Sequence, residues 1–226
     1  MHDYLLALPT AMTTVRDLDR RVAERHLLTH PFYVAWSAGT LPRETLRAYA
    51  GQYDHFESNF PRFVAAAYAR LPRPQDRRVL LENLMDEEGR SPTHPELWAD
   101  FARAIGAPRG PVPPLPATSR LIRTYERETV RGTAASALGA LYAYESQFPA
   151  VAREKSRGLR ANYGIRSREA HEFFRVHSFA DVAHASAERR LLSGLLRGSP
   201  ASGAEAERGL RASIGAWWGF LDAFTP

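Results

Sequence analysis

Leu46, Tyr49, Tyr53, Phe56, Phe60 and Phe63 recur every three or four residues. That is the period of one face of an α-helix, whereas a half-buried strand would alternate every second residue. The same period runs through most of the chain and strand-like alternation is absent, so the fold class is all-α. Local signals divide it into helices. A first amphipathic helix is read over about 11–28, and His30-Pro31-Phe32 opens a short aromatic helix through Trp36. Leu41-Pro42 starts the long striped helix, with Pro61 expected to bend it. Pro74 and Gly89 bracket the next helix. Thr93 is read as an N-cap with Glu96 three residues on, close to a capping box, and this helix runs to about Gly106. A proline-rich loop, 108–116, leads to a helix over about 117–130. A small-residue helix over about 133–163 is interrupted at Pro149. A helix over about 168–197 is expected to break before His177, and a last helix ends near Phe224. No repeat or interdomain linker is evident, and residues 1–226 are read as one domain.

Composition removes several functions. There is no cysteine, which excludes disulfides, thiolate catalysis and thiolate zinc sites. The net charge is +5, but the arginines are scattered among acids with no basic run, so no nucleic-acid partner is expected. The first residues, Met1 to Leu6, carry no basic leader region, and no apolar run is long enough to cross a bilayer. A cytoplasmic location without membrane attachment is the resulting expectation. Of 30 basic residues only Lys155 is lysine. A GC-rich genome accounts for the arginines but not for the one lysine kept. Arginine cannot serve as a primary amine, so Lys155 is a candidate for a chemical role. Its helical neighbours Phe148, Val151, Ala152 and Leu159 are apolar, a setting that disfavours the charged ammonium.

The candidate chemistry lies in His177, Asp181 and His184, spaced i, i+4 and i+7 on one helical face. They share that face with Phe173, Phe174 and Leu191, so it is the core face. Glu145 follows Leu138, Leu141 and Tyr142 on another core face, where an unpaired carboxylate would be costly. A third acid, Glu87 or Glu88, precedes His94 across a turn, and periodicity does not choose between the two. Three carboxylates and three imidazoles without a thiol suit two octahedral, oxygen-activating ions, iron or manganese rather than zinc.

The segments HPFYVAWSAG (30–39), LLENLMDEEG (80–89), ALYAYESQFPAVAREKSRGL (140–159) and FFRVHSFADVAHASAE (173–188) resemble the haem-oxygenase-like di-metal oxidases, closest to the CADD-type para-aminobenzoate synthases. The resemblance covers about residues 15–224 and implies a single-domain haem-oxygenase-like helical bundle of the TenA/PqqC type. It implies six metal ligands, Glu87, His94, Glu145, His177, Asp181 and His184, and so selects Glu87 over Glu88. It implies two ions (Fe/Fe or Fe/Mn), O2 as co-substrate, an external reductant and a homodimer. It also implies that Tyr33 supplies the ring of the product, that Tyr49 assists, and that Lys155 supplies nitrogen. TenA-type thiaminases fit less well because they use a cysteine, and PqqC-type oxidases because they work without metal. Two alternatives stand beside this reading. An oxygenase acting on an external fatty acid or amine would need the ligands but not Tyr33 or Lys155. A non-enzymatic helical interaction module would need neither.

Overall fold

The computed structural model describes residues 13–108, 110 and 112–225. The N-terminal segment read above, and residues 11 and 12 of the first expected helix, lie outside them. Eleven α-helices make up the described chain: α1 (Val15–Glu24), α2 (Pro31–Ala38), α3 (Arg43–Glu57), α4 (Phe60–Arg70), α5 (Pro74–Glu88), α6 (His94–Ala104), α7 (Pro116–Tyr125), α8 (Ala134–Glu145), α9 (Phe148–Asn162), α10 (Glu169–Gly198) and α11 (Pro200–Leu221). Short 3-10 turns at Leu27–Thr29 and Asp222–Phe224 and a π-turn at Glu126–Val130 complete it.

The centre is α8, buried on all sides because its sequence is apolar and small all round. Its small residues let α11 come to backbone contact. A Cβ added at Gly139 would lie 2.1 Å from the Ala206 carbonyl, and one at Gly209 would lie 2.1 Å from that of Ser136. α10 packs across α5, α6, α8 and α9 and thereby reaches every element that carries a candidate ligand named above.

Three sequence expectations change. The first helix is shorter, starting at Val15 behind a Thr14–Asp17 capping box and ending at Glu24. α10 is continuous for 30 residues and does not break before His177, since nothing in Phe173–His177 removes a backbone donor. The bend expected at Pro61 is a full break: α3 stops at Glu57 and α4 starts at Phe60. Proline lacks the N–H that the carbonyl four residues earlier would accept, and its ring crowds that carbonyl.

The same break occurs at Pro149, and the two sites prove to be a short repeat, Glu-Ser-x-Phe-Pro at 57–61 and 145–149. Their geometry matches. The Ser58 and Ser146 amides donate to Asp54 and Tyr142, and the Asn59 and Gln147 amides to Phe56 and Tyr144. The Asn59 and Gln147 side chains each donate to the carbonyl four residues back, His55 and Ala143. Each copy therefore ends a helix on a glutamate, Glu57 and Glu145, and both are buried.

Candidate metal centre

All six side chains implied as ligands are buried and face one region between α5, α6, α8 and α10. The capping box at Thr93 forms as read and fixes His94 at the first position of α6. Glu87 Oε2 lies 2.9 Å from His94 Nδ1. Glu87 is 1% exposed while Glu88 is solvent-facing, which resolves the choice that periodicity left open. The His94 and His177 rings lie 4.2 Å apart. His177 Nδ1 donates to the Phe173 carbonyl at 2.8 Å, leaving Nε2 free for a ligand. His184 Nδ1 lies 3.5 Å from Glu145 and 3.6 Å from Asp181.

Donor atoms close into two groups that share Glu87. Glu57, Glu87, His94 and His177 form one, and Glu87, Glu145 and His184 the other, with the atoms of each group within 4.8 Å of one another. Asp181 borders the second through His184. The sequence reading did not name Glu57. Nor did it name two residues that hold donors in place, Asn83 and Asp86, or a further buried acid, Glu188. Asn83 donates to both Glu145 oxygens at 3.0 and 3.3 Å. Asp86 lies 3.2 Å from His184 Nε2, so the imidazole turns Nδ1 inward. Glu188, one turn beyond His184, is fully buried with neither oxygen hydrogen-bonded. The repeat Glu-Ser-x-Phe-Pro was the available signal for Glu57. Asn83 and Asp86 carried none, because their partners lie on other helices.

The electrostatics call for positive charge. Burial pushes the Glu87 carboxyl up to about 8 and that of Asp181 up to about 7. Burial opposes charge on His184, yet Asp181 and Glu145 outweigh it and raise the imidazole to about 12. Burial drives His177 well below its ordinary range, and His94 beside it adds to the effect. Oxygens of Glu57 and Asp181 and Nδ1 of His184 lack hydrogen-bond partners although fully enclosed. Buried polar atoms are rarely left so. Helices α3, α5 and α8 also end here, directing the negative ends of their dipoles inward. Hard oxygen and imidazole donors, unsatisfied and enclosed, fit a pair of divalent first-row cations.

One aromatic layer away lies Lys155, fully buried. Its Nζ donates to Tyr49 Oη at 2.6 Å. The rings of Tyr53, Tyr49, Phe148, Trp98, Phe174 and Tyr33 surround it, with centroids 4.8 to 5.7 Å away. Burial holds its pKa well below that of an ordinary lysine, the more distant charge of Glu57 opposing only in part. Burial likewise keeps the Tyr33 and Tyr49 hydroxyls protonated. Phe148 and Phe173 separate this chamber from His177, with ring centroids 5.4 and 4.0 Å from the imidazole. The Tyr53 and Tyr144 hydroxyls hydrogen-bond to each other within the same layer, and Tyr144 adjoins Glu145.

No helix among the described residues is long and apolar enough to cross a membrane. Residues 47–218 match the model of a family described as iron-containing redox enzymes. A protein named 4-aminobenzoate synthase from Chlamydia muridarum is 37% identical, over 95% of this chain and 91% of the relative. A CADD-like protein of unknown function from Nostoc punctiforme superposes with a TM-score of 0.76 at 19% identity, covering 93% of this chain and 96% of that one. A TenA homologue from P. horikoshii does so with a TM-score of 0.72 at 16% identity, covering 94% and 98%. These two likenesses establish the fold, a haem-oxygenase-like bundle of the TenA type. With the helical architecture, the enclosed histidine and carboxylate cluster and a relative matched along nearly its whole length, the chain belongs to the iron-containing redox enzymes of haem-oxygenase-like fold.

Proposed function

We propose that this protein is an O2-dependent 4-aminobenzoate synthase that holds two iron or manganese ions and cleaves its own Tyr33 side chain, with Lys155 as the source of the amine. Tyrosine already contains the product's ring, a carbon at Cβ and a para oxygen. Reaching 4-aminobenzoate requires cleavage of Cα–Cβ, oxidation of Cβ to a carboxyl and replacement of the phenol oxygen by nitrogen. A bound pair of redox-active ions, with O2 and an external reductant, supplies the oxidising power that side chains lack.

The chain's own residues account for the rest. Glu87, His94, Glu145, His177, Asp181 and His184 would hold the ions. Asp86, Asn83 and the Phe173 carbonyl orient three of these donors. The aromatic layer excludes water from the chamber. Burial favours the free amine of Lys155, the nucleophilic form, and its hydrogen bond to Tyr49 aims it among the tyrosines. The observation that carries this reading is the placement of the sole lysine, caged by Tyr33 and Tyr49 beside the donor cluster.

Having one lysine makes the test unambiguous. Protein produced with 15N-ε-lysine, loaded with iron and manganese and exposed to O2 with a reductant should release 15N-labelled 4-aminobenzoate, at most about one equivalent per chain. Mass loss should be confined to the peptide containing Tyr33. Unlabelled product would exclude Lys155 as donor. Many equivalents per chain would replace self-consumption by turnover of an external substrate.

A further inference from the structure

We infer that Glu57 is itself a metal ligand: a fourth carboxylate and seventh donor, binding the cation held by Glu87, His94 and His177. This rests on the di-metal reading above but adds a residue and a charge to it.

Three independent observations carry the inference. A carboxylate oxygen of Glu57 shares a 4.8 Å cluster with donor atoms of Glu87, His94 and His177. Glu57 is 2% exposed, and its Oε1 is enclosed without any hydrogen-bond partner. A neutral acid kept for packing would normally place both oxygens in hydrogen bonds, since an unmet buried polar atom costs about 1–3 kcal/mol. The third observation is the repeat. Glu57 and Glu145 end α3 and α8 in the same way, each four residues before a proline, with matching amide and side-chain bonds in the turn. The following residues, Phe60 and Phe148, pack against the same ring, that of Tyr144, at 5.3 and 4.9 Å. One local device thus delivers a carboxylate from each of two helices, one to each half of the centre.

The charge count supports this. Two divalent ions bring four positive charges. Glu87, Glu145 and Asp181 offset three, leaving a net positive charge in an enclosed site, where uncompensated charge is costly. Two further buried carboxylates lie here, Glu57 and Glu188, and of these Glu57 is the one with an oxygen inside a donor group, so it supplies the fourth negative charge at the ions. Lys155 does not upset the balance, because burial favours its neutral form. The two halves then differ. Around the shared Glu87, one has Glu57 with two imidazoles, and the other has Glu145, Asp181 and one imidazole. The centre is built with unequal sites.

The test is titration of metal-free protein with Mn(II), counting free ion by electron paramagnetic resonance. Wild type should bind two ions per chain. Glu57→Gln, similar in shape but uncharged, should weaken one of the two by at least about tenfold, the scale seen when a ligand's outer partner alone is lost. The other ion should be little changed. Equal affinity for both ions in wild type and Glu57→Gln would overturn the inference and leave the di-metal reading intact. Wild type binding no Mn(II) or Fe(II) would overturn both. Should Glu57→Gln fail to fold, crystals of wild type with Mn(II), measured at the manganese edge, decide the matter. A Glu57 carboxylate within coordination distance of an anomalous peak supports the inference, and one turned away overturns it.

Discussion

The donor cluster and the lysine chamber are adjacent, equally buried and opposite in what burial does to them. In the cluster, acids enclosed with few hydrogen bonds keep their protons to higher pH, and His184 is held charged by its carboxylate neighbours. The region is rich in buried carboxylates and suits a cation. In the chamber, rings and one hydroxyl surround an amine, and burial strips its charge. That region disfavours an ion, and burial shifts its lysine toward the free base. Under the proposed function, water exclusion would serve a metal site where the donors are anionic and a nucleophile where the walls are aromatic.

The largest effect should come from Glu87, shared by both halves of the cluster. Glu87→Ala should reduce bound Fe or Mn from two per chain to below one and abolish 4-aminobenzoate formation, read by elemental analysis and product assay. Retention of two ions would show that the halves do not depend on a common bridge. Lys155→Arg acts on the chamber alone. It should leave metal content at two while lowering product by over about a hundredfold, because a guanidinium offers no nucleophilic amine at neutral pH. A guanidinium that keeps its charge in this enclosed ring of aromatics should also lower thermal stability by about 3–5 kcal/mol, with overpacking by the longer side chain adding to the loss. Unchanged product would remove the chamber from the chemistry.

Asp86→Asn should be milder. It weakens the hold on His184 Nε2 and should reduce affinity for one ion about 10- to 100-fold, measured by chelator competition, with Lys155 unaffected.

The smallest effect is on pH dependence. Glu87 and Asp181 titrate at about 8 and about 7 in the fold, against ordinary values of 4.5 and 3.8. The unfolded chain loses these protons first, as it does those of Glu57 and Glu188. Lys155, His94 and His177, whose pKa values burial lowers, act in the opposite sense. The buried acids outnumber them, so the metal-free protein should become less stable as pH rises from about 5 to about 8. His184, raised from 6.5 to about 12, contributes with the same sign as pH passes its ordinary value. Bound Mn(II) takes the place of the protons, so its affinity should rise over the same window and flatten the loss. Melting curves at the two pH values, with and without Mn(II), check this. A metal-free chain more stable at the higher pH would mean that the cluster does not govern this window.

The inward face of α10 was legible because 177, 181 and 184 lie on one helix, where spacing fixes direction. Thr93 and Glu96 announced the start of α6 and so the position of His94. Lys155 was singled out by composition, and its apolar neighbours foretold the burial that lowers its pKa. Glu57 was not found, although the five-residue pattern it opens occurs again at Glu145. Each copy reads as an ordinary helix end, and only the fold brings the two ends together. Asn83 and Asp86 sit among other polar residues on α5, and nothing local distinguishes them, whereas Glu188 lies one turn past His184 on the same buried face of α10 and was legible by the same spacing.

By itself the sequence determined the helices, their capped ends, their buried faces and the residue types available for chemistry, because these follow from backbone geometry over a few residues. The tertiary structure decided which carboxylates converge, that Glu87 rather than Glu88 turns inward, and that one layer of rings divides the histidine and carboxylate cluster from the amine. Those outcomes depend on distances between helices far apart in the chain. Such distances are set by how the whole set of side chains packs, through contacts such as Gly139 against Ala206, and no local periodicity encodes them.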